Sequence, residues 1–169
     1  MTTILIFFIL FFIIRLAFLA VSIKNEKNLI KNGAVQVGNQ TSTLLAAAHI
    51  AYYFLALLNA YLVSAYFDVI SFIGVVIVCI SFMILAVIIK QLGEIWTVKI
   101  YIAPNHKINT SWLFKTFKHP NYFLNIIPEL IGIAILCHAW WVLIIGLPIY
   151  GLILAKRIRQ EEHAMQHLF

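Results

Sequence analysis

The sequence predicts an all-α integral membrane protein with about five transmembrane helices, and three observations lead there. First, 63% of the 169 residues are hydrophobic and only 11% are charged, against about 45–50% and about 25% in a soluble domain. Second, the apolar residues fall into long uninterrupted runs of the roughly 20 residues that cross a bilayer as a helix. Third, eleven of the twelve Lys and Arg gather in three segments that alternate with those runs. Seven Gly, four Pro and two Cys exclude collagen-like, disordered and disulfide-stapled classes. Cys79 and Cys137 lie within apolar runs and read as small reduced hydrophobes.

The elements follow in order within a single membrane domain covering residues 1–169. A first span at about 3–22 is interrupted only by Arg15, and it lacks the basic start and small-residue cleavage site of a removed signal peptide. Residues 22–43, with Lys24, Lys27, Lys31 and the turn pairs Asn32-Gly33 and Gly38-Asn39, read as the first loop. Spans at about 44–66 and 69–89 form a tight hairpin around Asp68. Residues 121–154 are too long for one crossing, so they fold into a short helical hairpin with spans at about 121–137 and 140–155. The break falls where His138, Trp140 and Trp141 suit an interface.

Lys24, Lys27, Lys31, Lys90, Lys99, Lys107, Lys115, Lys118, Lys156, Arg157 and Arg159 then share one side, and the positive-inside rule makes that side cytoplasmic, with the N-terminus outside. The net charge of +6 is therefore a topology signal and does not call for a nucleic-acid partner. Lys90 to Lys118 carries Leu92-Gly93-Glu94-Ile95-Trp96 and Tyr101, and reads as a cytoplasmic interfacial segment.

Three places carry chemistry. Lys118-His119-Pro120-Asn121-Tyr122 opens the fourth span with Pro120 at the first helical position and His119 as the cap. The helix-start amides and Lys118 favour a small anion such as a carboxylate, or serve simply as a helix start with a basic anchor. In the tail, Arg157 and Glu161 are four apart and close enough to pair, while Glu161 and Glu162 are two of only six acids. Glu129 lies in an apolar run, where an ionisable group costs about 2.5–3.5 kcal/mol unless it meets a partner or a wet cavity. It is either a functional carboxylate, a structural partner of Arg15, or a protonated hydrogen-bonded carboxyl. His49, Asn59 and His138 read as interhelical hydrogen-bonders. The six histidines show no metal spacing, His163 and His167 having no acidic or Cys companions, so no metal is expected.

Leu92-Gly93-x-x-Trp96, then Lys118-His119-Pro120-Asn121-Tyr122, then Arg157-Ile158-x-x-Glu161-Glu162 together resemble the isoprenylcysteine carboxyl methyltransferase family. Residues 24–34, from Lys24-Asn25-Glu26 to Gly33-Ala34, look like its small bacterial branch. The resemblance implies a bacterial cell-membrane enzyme that binds S-adenosylmethionine at the cytoplasmic face and methylates a lipophilic acceptor reached among membrane lipids. It implies a cofactor region at 92–122 and 156–163, in which His119, Tyr122, Arg157, Glu161 and Glu162 match the family residue by residue; with them Pro120 and Asn121 complete the helix start, Lys118 suits the cofactor's carboxylate and Trp96 its sulfonium. Lys118 stands where the family usually has Arg, and Phe123, Leu124 and Asn125 replace the small residue and acid that often follow the Tyr. A carboxylate acceptor needs no base; a hydroxyl acceptor does, and Glu129 or His119 fits that role by position. The alternatives are a phospholipid N-methyltransferase and, from another class, a small non-enzymatic membrane scaffold or transporter subunit whose motifs are helix caps and topology anchors.

Overall fold

The computed structural model describes residues 1–102 and 112–165. Lys107 and His167, which entered the charge and histidine readings, lie outside them.

Among the described residues, three helices are long and apolar enough to cross a membrane: α1 (Thr2–Lys31), α2 (Asn39–Leu62) and α3 (Val69–Leu92). A short strand β1 (Val35–Val37) follows α1, and β2 (Ile100–Ile102) follows α3 through a 3-10 turn at Gly93–Ile95. The two strands pair antiparallel with Gln36 opposite Tyr101. After the short α4 (Trp112–Thr116), a π-helical turn (Asn121–Ile126) leads into α5 (Ile127–Leu136). A second π-helical turn (Val142–Gly146) leads into α6 (Leu147–Met165).

The expected first loop at 22–43 is corrected. Helix α1 continues to Lys31, β1 follows, and α2 already starts at Asn39. Polar residues end a membrane crossing without ending a helix, and here they have partners that hold the extension. Ser22 Oγ accepts from the Val98 amide (2.8 Å), and Asn25 Nδ2 donates to the carbonyls of Gly93 (3.1 Å) and Trp96 (2.9 Å). Leu29 is buried beside them in sequence. The end of α1 thereby braces residues 93–98, and the small sheet continues that brace.

The core lies where α1, α2, α3, α5 and α6 meet, around Phe8, Phe11, Tyr53, Val78, Leu130 and Tyr150. Helices α3 and α5 make the closest approach. A Cβ on Gly74 would fall 2.7 Å from the Gly132 carbonyl oxygen, and one on Gly132 would fall 2.9 Å from the Gly74 oxygen. Small residues let two backbones touch in this way, which is how helices associate where lipid removes the hydrophobic drive.

Three helices end alike. After α1, α2 and α5, the residues Gly33, Ser64 and His138 take positive φ of 82°, 50° and 52°. The next amide in each case, on Ala34, Ala65 and Ala139, closes back onto the carbonyl five residues earlier, the pattern that satisfies the last orphan carbonyls of a helix. The two reversals at Ser64 and His138 are tied together. His138 Nε2 lies 3.0 Å from Ser71 Oγ and 3.2 Å from Asp68 Oδ1, while Asn59 Nδ2 donates to the His138 carbonyl (3.0 Å). Asp68 also caps α3 by accepting from the Ser71 amide at 2.9 Å.

Candidate functional site

At the opposite end of the bundle, the starts of α2 and of the 121–136 helix meet the ends of α1, α3 and α6. Pro120 has a helical φ of −63°, and the His119 carbonyl accepts the first helical bonds from the amides of Tyr122 (3.1 Å) and Phe123 (3.3 Å). His119 thus starts the helix through its backbone. Its ring is free to stack on Tyr122, with centroids 5.7 Å apart, and to stand between two carboxylates. Nδ1 is 3.8 Å from Glu161 Oε2 and Nε2 is 3.3 Å from Glu162 Oε1. Lys118 Nζ reaches the same Glu162 oxygen at 2.7 Å. The hydrogen bonds from Lys118 and His119 hold the Glu162 carboxyl below its ordinary range.

Arg157 does not pair with Glu161 as its spacing predicts. Only 1% exposed, it is turned inward. It donates through Nε to the Tyr122 hydroxyl (3.4 Å), through Nη1 to Ser42 Oγ, and through Nη2 to the Val98 carbonyl (2.8 Å). Tyr122 in turn donates to Glu161 Oε2 at 2.6 Å, so the arginine and the glutamate are joined through the phenol. One planar guanidinium therefore fixes α2, α6, the 121–136 helix and the strand approach at once, using the fork geometry that a lysine lacks.

These side chains wall a cavity of about 520 Å³, lined among others by Trp96, Tyr101, Lys118, His119, Tyr122, Arg157 and Glu161. Pro120 and Asn121 also line it, whereas Glu162 stands behind His119 and Lys118. The β2 wall is fixed from outside by Glu26, whose Oε1 takes Lys99 Nζ (2.6 Å) and the Tyr101 hydroxyl (2.7 Å). Burial and the hydrogen bond to Glu26 push the Tyr101 phenol up to about 12. Among the described residues, two polar atoms in the cavity wall are buried without a partner: Trp96 Nε1 and Asn121 Oδ1. Such orphans cost about 1–3 kcal/mol each unless something fills the space beside them.

A second, apolar cavity of about 150 Å³ adjoins the first, and Trp96, Val98, Asn121 and Tyr122 line both. Its far wall carries Arg15, His49, Tyr53 and Tyr150 among Phe12, Leu16, Leu19 and Leu45. Glu129, fully buried, does not line it and lies behind these residues. Glu129 Oε1 accepts from Tyr53 (2.6 Å), meets Arg15 Nε at 3.4 Å and His49 Nε2 at 3.2 Å, while Oε2 has no partner. Arg15 Nη1 also reaches Asn125 Oδ1 at 3.5 Å.

The sequence-expected cofactor residues thus meet around one cavity, with Glu162 in its outer layer, and Glu129 joins a separate cluster deeper in the bundle. Ser42 escapes a sequence reading because its signal is only that of loop polarity, and Asn25 and Glu26 enter it only within the resemblance of residues 24–34, with nothing to indicate their partners. Tyr53 and Tyr150 escape because aromatic residues in an apolar run read as core. No group of His, Cys, Asp and Glu among the described residues is arranged to hold a metal.

The model of the Isoprenylcysteine carboxyl methyltransferase (ICMT) family matches residues 72–167. An uncharacterized protein of Haemophilus influenzae is 54% identical over 156 residues, covering 92% of this chain and 91% of its own. The uncharacterized protein YpbQ of Bacillus subtilis is 29% identical over 153 residues, covering 90% of each chain. No solved structure matches the chain.

Proposed function

Because the chain belongs to the isoprenylcysteine carboxyl methyltransferase family, we propose that it methylates a carboxylate or hydroxyl of a lipophilic acceptor that enters from the bilayer, using S-adenosylmethionine bound in the larger cavity. The observation that carries this reading is the shared wall. A cavity of about 520 Å³ whose wall includes Lys118, His119, Arg157 and Glu161, within the roughly 300–1,000 Å³ of small-molecule sites, adjoins a smaller apolar one through Trp96, Val98, Asn121 and Tyr122.

The residues present fit the cofactor. Its carboxylate suits Lys118 and the start of the 121–136 helix, and its ammonium suits Glu161, while Glu162 acts from behind by holding Lys118 and His119. Trp96 and Tyr122 offer aromatic faces to a cation. The orphaned Trp96 Nε1 and Asn121 Oδ1 are a donor and an acceptor awaiting partners. Pro120 sets the helix start, His119 keeps the two glutamates in place, and Arg157 holds the four surrounding elements in register. When bound, S-adenosylmethionine supplies an electrophilic methyl group on sulfur. The protein's task is then to align the acceptor oxygen with that methyl and to keep water out. Of the two expected catalytic residues, His119 acts within the cofactor cavity, and Glu129 acts from behind the acceptor cavity by fixing Arg15 and His49.

In the membrane the chain takes five spans, the hairpin of 121–155 being the last two, with the cofactor cavity at the cytoplasmic face and the N-terminus outside. The lysines at the ends of α1 and α3, with Lys156, Arg157 and Arg159 in the second half of α6, support that orientation. The reading is tested by incubating purified protein with methyl-labelled S-adenosylmethionine and bacterial lipid extract. Label is expected in a lipid ester or ether. Label confined to phospholipid headgroup nitrogen, or no transfer at all, overturns it.

A further inference from the structure

Trp96, Val98, Asn121 and Tyr122 line both cavities, so they form the seam that a methyl group crosses on its way from cofactor to acceptor. A sulfonium is a cation, and the walls around that seam offer it little negative charge. Among the described residues, Lys99, Lys115, Lys118 and Arg157 line the larger cavity against one carboxylate, Glu161, and the smaller cavity carries Arg15 and no acid. Glu161 lines the larger cavity only, and its Oε2 already takes the Tyr122 hydroxyl at 2.6 Å. The oxygens of the seam are engaged as well. The Val98 carbonyl accepts from Arg157 Nη2 (2.8 Å), the Trp96 carbonyl from Asn25 Nδ2 (2.9 Å) and the Tyr122 hydroxyl oxygen from Arg157 Nε (3.4 Å). Among the described residues that leaves two buried, unpartnered side-chain atoms at the seam, Trp96 Nε1 and Asn121 Oδ1. They are opposite in kind. An indole N–H only donates, and its positive end repels a positively charged methyl, whereas an amide oxygen only accepts and carries the negative end of its dipole.

We propose that Asn121 is the residue that distinguishes cofactor from product: its Oδ1 faces the methylsulfonium, and so favours S-adenosylmethionine over S-adenosylhomocysteine. The proposal rests on the methyl-transfer reading above. The rings of Trp96 and Tyr122 attract the same cation, yet each also gives dispersion contact to a neutral thioether, whereas the amide oxygen has only its dipole to offer. As the acceptor atom bonds to the methyl carbon, the carbon–sulfur bond breaks and its electron pair goes to sulfur. The positive charge on sulfur disappears with that step, and Asn121 Oδ1 is left buried and unpaired again, which is unfavourable. The hold on the ligand therefore weakens when the transfer is complete and the site has to empty.

The experiment is calorimetric titration of the full-length protein in phospholipid nanodiscs with three probes: S-adenosylmethionine, S-adenosylhomocysteine, and a cationic analogue in which an aminomethine carbon replaces the methylsulfonium. Wild-type protein should bind the two cations about tenfold more tightly than the neutral thioether, the worth of one polar contact to a charged group. Asn121→Leu should lose that preference through weaker binding of both cations, with S-adenosylhomocysteine affinity unchanged. Asn121→Asp places a formal negative charge at the same position and should widen the preference beyond that of wild type. Opposite displacements in two variants of nearly equal size are not what a merely structural role produces. Should Asn121→Leu fail to fold, Asn121→Asp decides alone. Equal affinity of wild type for all three probes, an equal loss for all three in Asn121→Leu, or an unchanged or narrowed preference in Asn121→Asp overturns the proposal and leaves the methyl-transfer reading standing. Wild-type protein that binds none of the three removes both.

Discussion

Arg157 shows how one side chain carries the site. Its three donor atoms serve Tyr122, Ser42 and Val98, on three separate segments of the chain. Arg157→Lys keeps the charge and loses the fork, so at least one of these bonds is not remade, at about 1.5–3 kcal/mol for each hydrogen bond to a charged group. The melting temperature in detergent should fall and S-adenosylhomocysteine should bind at least about tenfold more weakly; equal melting and equal affinity would show that the fork is dispensable. The residue itself was legible in the sequence as a site member, but its partner was not. A four-residue spacing on a helix predicts contact with Glu161 only if both side chains face outward, and burial of Arg157 sends it to groups distant in the chain. Glu129 was legible for the opposite reason. A lone carboxylate in an apolar run demands partners, and Arg15, the one cation within a span, was legible as such a partner, though nothing in the sequence assigns His49 or Tyr53 to the same carboxylate.

Among the elements, the apolar runs gave clear spans because hydropathy over about 20 residues is a strong signal. The end of α1, the two three-residue strands and the 3-10 turn were not legible, since each depends on partners at least 60 positions away. Ser64 is likewise a hidden helix end, because the positive φ normally announced by Gly falls there on another residue; at His138 the break was legible from the length of the apolar run, and only the positive φ was not. The turn between α2 and α3 provides a pH test. The amide of Ser71, with His138 nearby, holds the Asp68 carboxyl below its ordinary value. A carboxylate with a depressed folded pKa stabilises the protein above its unfolded pKa and loses that contribution as pH falls through the folded value. Wild-type protein should therefore lose melting temperature on acidification below the ordinary Asp range more steeply than Asp68→Asn, whose curve should be flatter in that window. Parallel curves for the two proteins would remove Asp68 from the account of the two reversals.

At the scale of the molecule, the two ends differ in kind. One end holds the paired reversals at Ser64 and His138 with Asp68 between them, and the other holds the larger cavity, the lysines that end α1 and α3, and Lys156, Arg157 and Arg159 in the second half of α6. With Cys79 and Cys137 replaced by Ala, Tyr66→Cys should react with an impermeant maleimide in intact cells, and Lys115→Cys only after permeabilisation; the reverse pattern would invert the orientation. The central claim is that the larger cavity is a cofactor site, and calorimetric titration of the folded, detergent-solubilised protein with S-adenosylhomocysteine tests it most directly. Saturable one-to-one binding is expected, with a rise in melting temperature corresponding to roughly 2.7 kcal/mol at one hundred times the dissociation constant. It should weaken in Glu161→Ala and Glu162→Ala and stay unchanged in Lys27→Ala, an exposed position on α1. No binding at millimolar ligand by well-folded protein would contradict the account.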